Sequence, residues 1–498
     1  MNAIASTNNQ AIQVSVIPEL AYPEFLAYNT GLVKSNPAFH CVTYFGIPHA
    51  KGIKLFCAIA NDETHQVLVN SCVIDPSKAL PSFAAQSLNF EKFERELNEN
   101  HGIAYTDHPW LKPVRYPFNR HDTKQVMDTY PFFSIQSEEL HEVGVGPVHA
   151  GVIEPGHFRF VCNGEQILHL EILLGYQHRG IETLFLNKNN LLQRSILAES
   201  IAGDSVIEHA SAFAFLMESL SGFETSKAVL HARTLAQELE RIAIHTGDLS
   251  AICTDIAYQL GSSVFGRLRT PIINYFQEWC GNRLAKSLIR PYNHNFPFTQ
   301  KLAERLKEVL NTFEPDFVEM NTELFNLPSA LSRLERTGTV TAEQVASIGT
   351  VGPSARMNGL VRDIRNTHPY ANYAQLNHQP IIKHHGDVYS RAQIRKQEVM
   401  QSIAYVRSLL EQLPEPEAPK AIPALAPNSF ALSLTEGWRG EVCHAALTGD
   451  KGQLLAYKIK DPSFHNWLAL ALAVRNNEIS DFPICNKSFN LSYCGHDL

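Results

Sequence analysis

Between residues 11 and 75, four short apolar runs, AIQVSVI, FHCVTYFGI, KLFCAIA and HQVLVNSCVI, alternate with polar or Pro/Gly breaks, the pattern of strands. A helical segment follows at about 88–100, LNFEKFERELNEN, and then DHPWLKPVRYPF, too rich in proline to continue it. These elements predict a small α/β domain over 1–122, followed by a linker over 123–145. From residue 166 long helical periods take over, so 146–498 reads as a mainly helical second domain, and the fold class as α+β. Its clearest helix is 226–247, where Leu235, Leu239 and Ile242 form an apolar stripe. Glu238, Arg241 and His245 share an adjoining face, and spacing alone predicts a solvated, salt-bridged surface there. A second long helix at 389–412 runs into LPEPEAPKAIPALAP, whose five prolines predict an extended loop over 413–427. A short α/β tail starts at 428.

Composition narrows the function classes. The chain has 498 residues, enough for two or more domains, and a charged fraction of 18%, below the roughly 25% of ordinary soluble domains. That deficit points to surface covered by partners. The net charge of −8 is spread without a basic block, which argues against nucleic acid. The polar start, MNAIASTNNQAIQ, lacks the features of an export signal, which predicts a cytoplasmic chain. The most apolar run, WLALALAV, is far shorter than the roughly 20 residues of a membrane helix. Membrane attachment is therefore expected through partners. Nine cysteines include no CxxC pair, so no iron–sulfur cluster or zinc ribbon is expected in this chain. GxGxxG, P-loop, HExxH and GxSxG patterns are absent, which leaves direct NAD or ATP binding and a hydrolase without support.

Residues 139–184 form a Gly/Pro-rich junction. Here and downstream, GPVHxxxxEPGHFRF, GYQHRGIE, ELERIAIH and GPSARMNGLVRDIRNTHPYANY resemble the large subunit of membrane-bound nickel–iron hydrogenases and formate hydrogenlyase, and equally the D subunit of complex I. FERELNENHGI with DHPWLKPVRYP resembles the complex I C subunit. The motifs are collinear over almost the whole chain. The resemblance implies a C-subunit-like domain fused ahead of a large-subunit-like domain.

The departures from that pattern bear on chemistry. Aligned on His209, the two thiolates of the hydrogenase RxCGxC motif fall at Ala202 and Ser205, with Ser200 for the arginine. The C-terminal pair falls at Ser492 and Gly495, with Asn490 and Leu491 for its Asp-Pro; Cys494 is one place out of register. Nickel and iron in such a site need soft thiolates, so the resemblance implies no metal in this chain. The complex I quinone partners, a histidine and a tyrosine, fall at Ile153 and Gly203. The remaining pattern looks like the energy-converting hydrogenase-related complexes, whose large subunit lacks the cysteines.

What the resemblance leaves around a common cavity is His149, His157, His178, Arg179, Glu182, His209, Arg362, Asp363, Arg365 and His368. Such groups can form a proton path when burial and mutual charge shift their pKa values. His209 and Asp363 are the expected proton donors. Two functions follow. One is a subunit of a complex I-like oxidoreductase that passes electrons from a small iron–sulfur (B-subunit-like) partner to a quinone or another acceptor. The other is a non-catalytic coupling scaffold. Both imply polytopic membrane partners and a peripheral position on the cytoplasmic face of the inner membrane.

Overall fold

The computed structural model describes residues 2–149, 153–293, 295–415, 417–418 and 420–498. Its first sheet contains β1 (Ile4–Ser6), β3 (Glu19–Leu20), β4 (Phe39–His49), β5 (Gly52–Asn61) and β6 (Gln66–Ile74), in the order β1-β6-β5-β4 with β3 parallel to β6. β2 (Ile12–Gln13) belongs elsewhere. Strand alternation in β5 decides the packing, since successive side chains point to opposite faces. Leu55, Cys57 and Ile59 pack on α1 (Tyr22–Ser35) and α2 (Glu91–His101). Phe56, Ala58 and Ala60 face the other way, onto β10 (Ser429–Gly437) and β11 (Gly440–Thr448). Phe56 stacks on Phe430 at a centroid distance of 6.2 Å.

A second sheet of three strands follows: β7 (His141–Val145), β8 (His157–Asn163) and β9 (Gln166–Leu173), antiparallel in the order β9-β8-β7. The last five residues of the expected linker are thus strand, because Val143 and Val145 bury against the core. The tip of this junction, residues 150–152, lies outside the described residues.

The helical part is built on α3 (Val206–Ser221), buried nearly all round, and α4 (Lys227–Asp255), with α5 (Gln259–Cys280), α6 (Gln300–Asn326) and α7 (Val388–Leu409) around it. Leu235, Leu239 and Ile242 enter the main core, as the stripe predicts. The adjoining face does not reach solvent. Glu238, Arg241 and His245 are buried because α7 and β10 pack across them.

The tail forms β10, β11 and β12 (Leu454–Lys460), then α8 (Ser463–Ala473) and α9 (Tyr493–Asp497). β10 pairs with β2, so the third sheet is β12-β11-β10-β2. The expected strand at 11–17 is therefore only Ile12–Gln13, ending in a single 3-10 turn at Val14–Val16. Val16 is exposed, and Pro18 cannot donate to a ladder.

Candidate functional site

The four positions where thiolates were expected come together at two helix starts. Ala202 and Ser205 precede α3, and Ser492 caps α9 by accepting from the Gly495 N–H at 2.9 Å; all four are buried. Their neighbours are polar. Arg439 clamps Asp204 through both guanidinium nitrogens at 2.7 and 2.8 Å and donates to Ser205 Oγ at 3.1 Å. Beside it Asp461 closes the space: a Cβ placed on Gly495 lies 2.4 Å from Asp461 Oδ2.

Asp461 is the end of a hydrogen-bonded chain. It accepts from His209 Nε2 at 3.1 Å, His209 Nδ1 meets His444 Nε2 at 3.1 Å, and His444 Nδ1 meets the Tyr457 hydroxyl at 2.7 Å. Burial opposes ionisation of Asp461, but the His209 hydrogen bond holds its carboxyl below the ordinary range. Burial first, and His209 second, keep His444 neutral, far below the usual histidine value. With a carboxylate at one end, two proton arrangements satisfy all three bonds: with His209 neutral, Tyr457 donates to His444, His444 to His209 and His209 to Asp461, whereas with one more proton on the chain His209 donates to both Asp461 and His444, and His444 to Tyr457. Such an aligned chain can pass a proton by reversing every bond in turn.

A cavity of about 560 Å³ opens next to this place, lined by Ile153, Glu154, Asp204, Arg439, Asn490 and Tyr493 among others. None of the ten expected site residues lines it. They fall instead into separate groups. His149 and His157 pair with the carbonyls of Gly156 and Gly146 at the base of the junction. His178 and Arg179 hold the chain end through the carbonyls of Asp497 and Cys494. Glu182 binds Lys458 at 3.1 Å and, with His178, lines a second cavity of about 310 Å³. Tyr457 borders that second cavity. Arg362 donates to the carbonyls of Thr350 and Pro37, and His368 lies 3.3 Å from Asp62; both tie the first sheet to the helical part.

Asp363 and Arg365 belong to a buried ion network. Glu398 of α7 is its centre, paired with Arg356, with His245 at 2.7 Å, with Arg365 at 3.3 Å and with Arg241 at 3.5 Å. Asp363 pairs with Arg365 at 2.7 Å and Arg356 at 3.2 Å, Glu238 with Arg365 at 3.4 Å, and Glu436 with Arg356 at 2.7 Å. Despite burial, the guanidiniums hold Glu238 below the carboxylate range and hold Asp363 and Glu398 far below it. Glu436 goes the other way, pushed up to about 8 by burial and Asp363. Three guanidiniums thus face four carboxyl groups, of which Glu436 is the one that burial and Asp363 push toward its protonated form. Asp363, expected as a proton donor, is corrected here: an acid held ionised by two arginines has no proton to give at neutral pH.

A family model described as "Respiratory-chain NADH dehydrogenase, 49 Kd subunit" matches residues 261–428. Hydrogenase-4 component G of Escherichia coli (strain K12) is 26% identical over 446 residues, 86% of this chain and 77% of its own. The C/D polypeptide of NADH-quinone oxidoreductase from Phocaeicola vulgatus is 25% identical over 416 residues (76% and 79%), and membrane-bound hydrogenase subunit alpha of Pyrococcus furiosus 25% over 367 (70% and 85%). The chain is a relative of complex I and membrane-bound hydrogenase large subunits.

In this large-subunit relative the donor set does not fit a nickel–iron pair. Ala202 and Gly495 offer no ligand atom, and Ser205 and Ser492 offer hydroxyls already engaged with Arg439 and the Gly495 amide. Cys494 lies 3.5 Å from Ser492 Oγ, one place out of register with the expected ligand positions, and burial and Glu154 push its thiol up to about 11.

Sequence reasoning passed over Glu208, the residue before His209. Its carboxyl accepts from the Trp438 N–H at 3.0 Å and is pushed up to about 7 by burial. Neighbouring Glu240, also buried and beside Glu208, is raised further. A carboxyl raised in the folded state contributes stability below its ordinary value, here 4.5, and loses it as pH rises through about 7. The melting temperature is expected to fall across that window, and Glu208→Gln to flatten the fall. Parallel melting curves for the two proteins would remove Glu208 as the responsible group.

Proposed function

We propose that this chain is the large subunit of a membrane-associated, complex I-like oxidoreductase of the energy-converting hydrogenase-related kind. It takes electrons from a small iron–sulfur partner and delivers them, with coupled proton transfer, to an acceptor other than a nickel–iron centre. The observation that carries this reading is the aligned chain Tyr457–His444–His209–Asp461, which ends where the relatives' metal ligands are expected. A buried chain of this kind has a use beside a redox reaction that consumes or releases protons.

No helix among the described residues is long and apolar enough to cross a membrane. Attachment in this reading therefore runs through polytopic partners, on the cytoplasmic face. A quinone held as in complex I would lack both headgroup partners, since Ile153 and Gly203 occupy those positions. The scaffold reading has one observation of its own: every guanidinium of the Glu398 network is paired with a buried carboxyl group, as a purely structural core would be.

Purification of the intact complex under mild extraction tests the proposal. A small iron–sulfur subunit and polytopic proteins are expected to co-purify, with no stoichiometric nickel on metal analysis. Hydrogen evolution with bound nickel, or an active free monomer, would overturn it.

A further inference from the structure

A groove of about 230 Å³ lies between α8 and β9, and its walls and ends differ in character. One wall is the face of α8 that presents Trp467, Leu468, Ala471 and Leu472, at the spacing of a helical stripe. Facing it are Trp110, Pro113 and the Leu170–Leu174 segment of β9 and its continuation. The lining is mainly apolar, and the groove follows the helix.

The charges at this groove are paired with a pattern of exceptions. Glu91 holds Arg95 at 2.6 Å, and Glu171 holds Lys112 at 2.6 Å. Two cations have no carboxylate among the described residues. Lys92 has one hydrogen-bond partner, His496 Nε2 at 3.3 Å. His496 Nδ1 is committed to Asp497 at 2.9 Å, so Nε2 can only accept, and two of the three Lys92 N–H groups stay free. Arg475 has only His169, at 3.4 Å. Lys92 lies near Phe464 at the start of α8, 5.7 Å from its ring, whereas Arg475 follows the end of that helix. The helix between them is eleven residues, roughly 16 Å, long.

We propose that this groove binds an amphiphilic acid, its carboxylate on Lys92 and its hydrocarbon body along the Trp467–Leu472 face of α8. The apolar walls supply affinity without direction, and Lys92, which keeps N–H groups free beside its one contact to His496, supplies orientation. The site is independent of the redox reading and stands or falls without it.

Protonation gives a signature that simple greasy binding lacks. Burial, with Arg95 and Arg115 nearby, lowers Lys92 to about 7, although Glu91 and Asp497 oppose the shift. A bound carboxylate restores the ammonium, so binding takes up a proton above that pH and not below it.

Decanoate titrated into the full chain, or the complex that carries it, tests the site by calorimetry in two buffers of different ionisation enthalpy. Saturable binding is expected, quenching or shifting Trp110 and Trp467 fluorescence. Proton uptake is expected one pH unit above 7 and absent one unit below. Lys92→Met keeps the apolar stem and is expected to weaken decanoate about tenfold or more while abolishing the uptake. Ala471→Phe fills the groove and should remove binding with Lys92 intact. 1-Decanol should bind the wild-type chain more weakly than decanoate. No saturable binding, equal affinity for the alcohol, or unchanged affinity in Lys92→Met would each overturn the proposal.

Discussion

Glu398→Ala is expected to destabilise the chain by roughly 3–5 kcal/mol, the cost of breaking a buried ion pair from one side. Glu398 is fully buried and touches Arg356, Arg365, Arg241 and His245 at once. Its removal leaves Arg356, Arg365 and Arg241 without the carboxylate they share. The measurement is thermal melting together with the yield of assembled complex. Glu278, which pairs with Arg305 on the surface at 3.1 Å, is the control. Its replacement by alanine should change stability by about 1 kcal/mol at most. Equal effects at the two sites would show that the network carries no special share of the fold's stability.

The second large effect belongs to turnover. Asp461→Asn is expected to lower coupled activity of the intact complex by about a hundredfold or more, the usual range for losing a proton-transfer group. Assembly should survive, because the remaining side-chain oxygen can still accept from the Ser463 N–H, now 2.8 Å away. Tyr457→Phe cuts the other end of the chain and leaves Asp461 in place. It should slow proton uptake during reduction while the stacked contact of its ring with Phe185, at 4.1 Å, is kept. Full activity and normal proton uptake in both variants would leave the scaffold reading in possession.

Motif order and apolar period make the family and the α+β class legible in the sequence alone. The apolar stripe of α4 was legible for the same reason: Leu235, Leu239 and Ile242 repeat at the helix period. Helix α1 was not read, although Pro23 at its start and Phe25, Leu26, Asn29, Thr30 and Val33 on one face carry a helical signal. It was obscured by strong β-leaning runs on both sides. The charged face of α4 failed for a different reason. Periodicity says which residues share a face and nothing about what covers it, and the cover here comes from α7 and β10, more than 150 residues away. The candidate site was half legible. His209 was found through its motif, but its partners Asp461, His444 and Tyr457 sit in the tail, where no spacing relates them to α3. Asp363 and Arg365 were found by motif as well, and only packing shows that they serve each other.

The pairing of β2 with β10 bears on how the chain is made. Gln13 and Ser429 are 416 residues apart and meet side by side, with the Asn8 side chain bonded to the backbone of Leu434. On a ribosome adding about 5–20 residues per second, the first segment waits roughly 20–80 s for its neighbour. During that wait the Phe56, Ala58 and Ala60 face of β5 lacks Phe430 and Leu432, which are not yet synthesised. Nascent chains of this protein should therefore need shielding by a chaperone until translation is nearly complete.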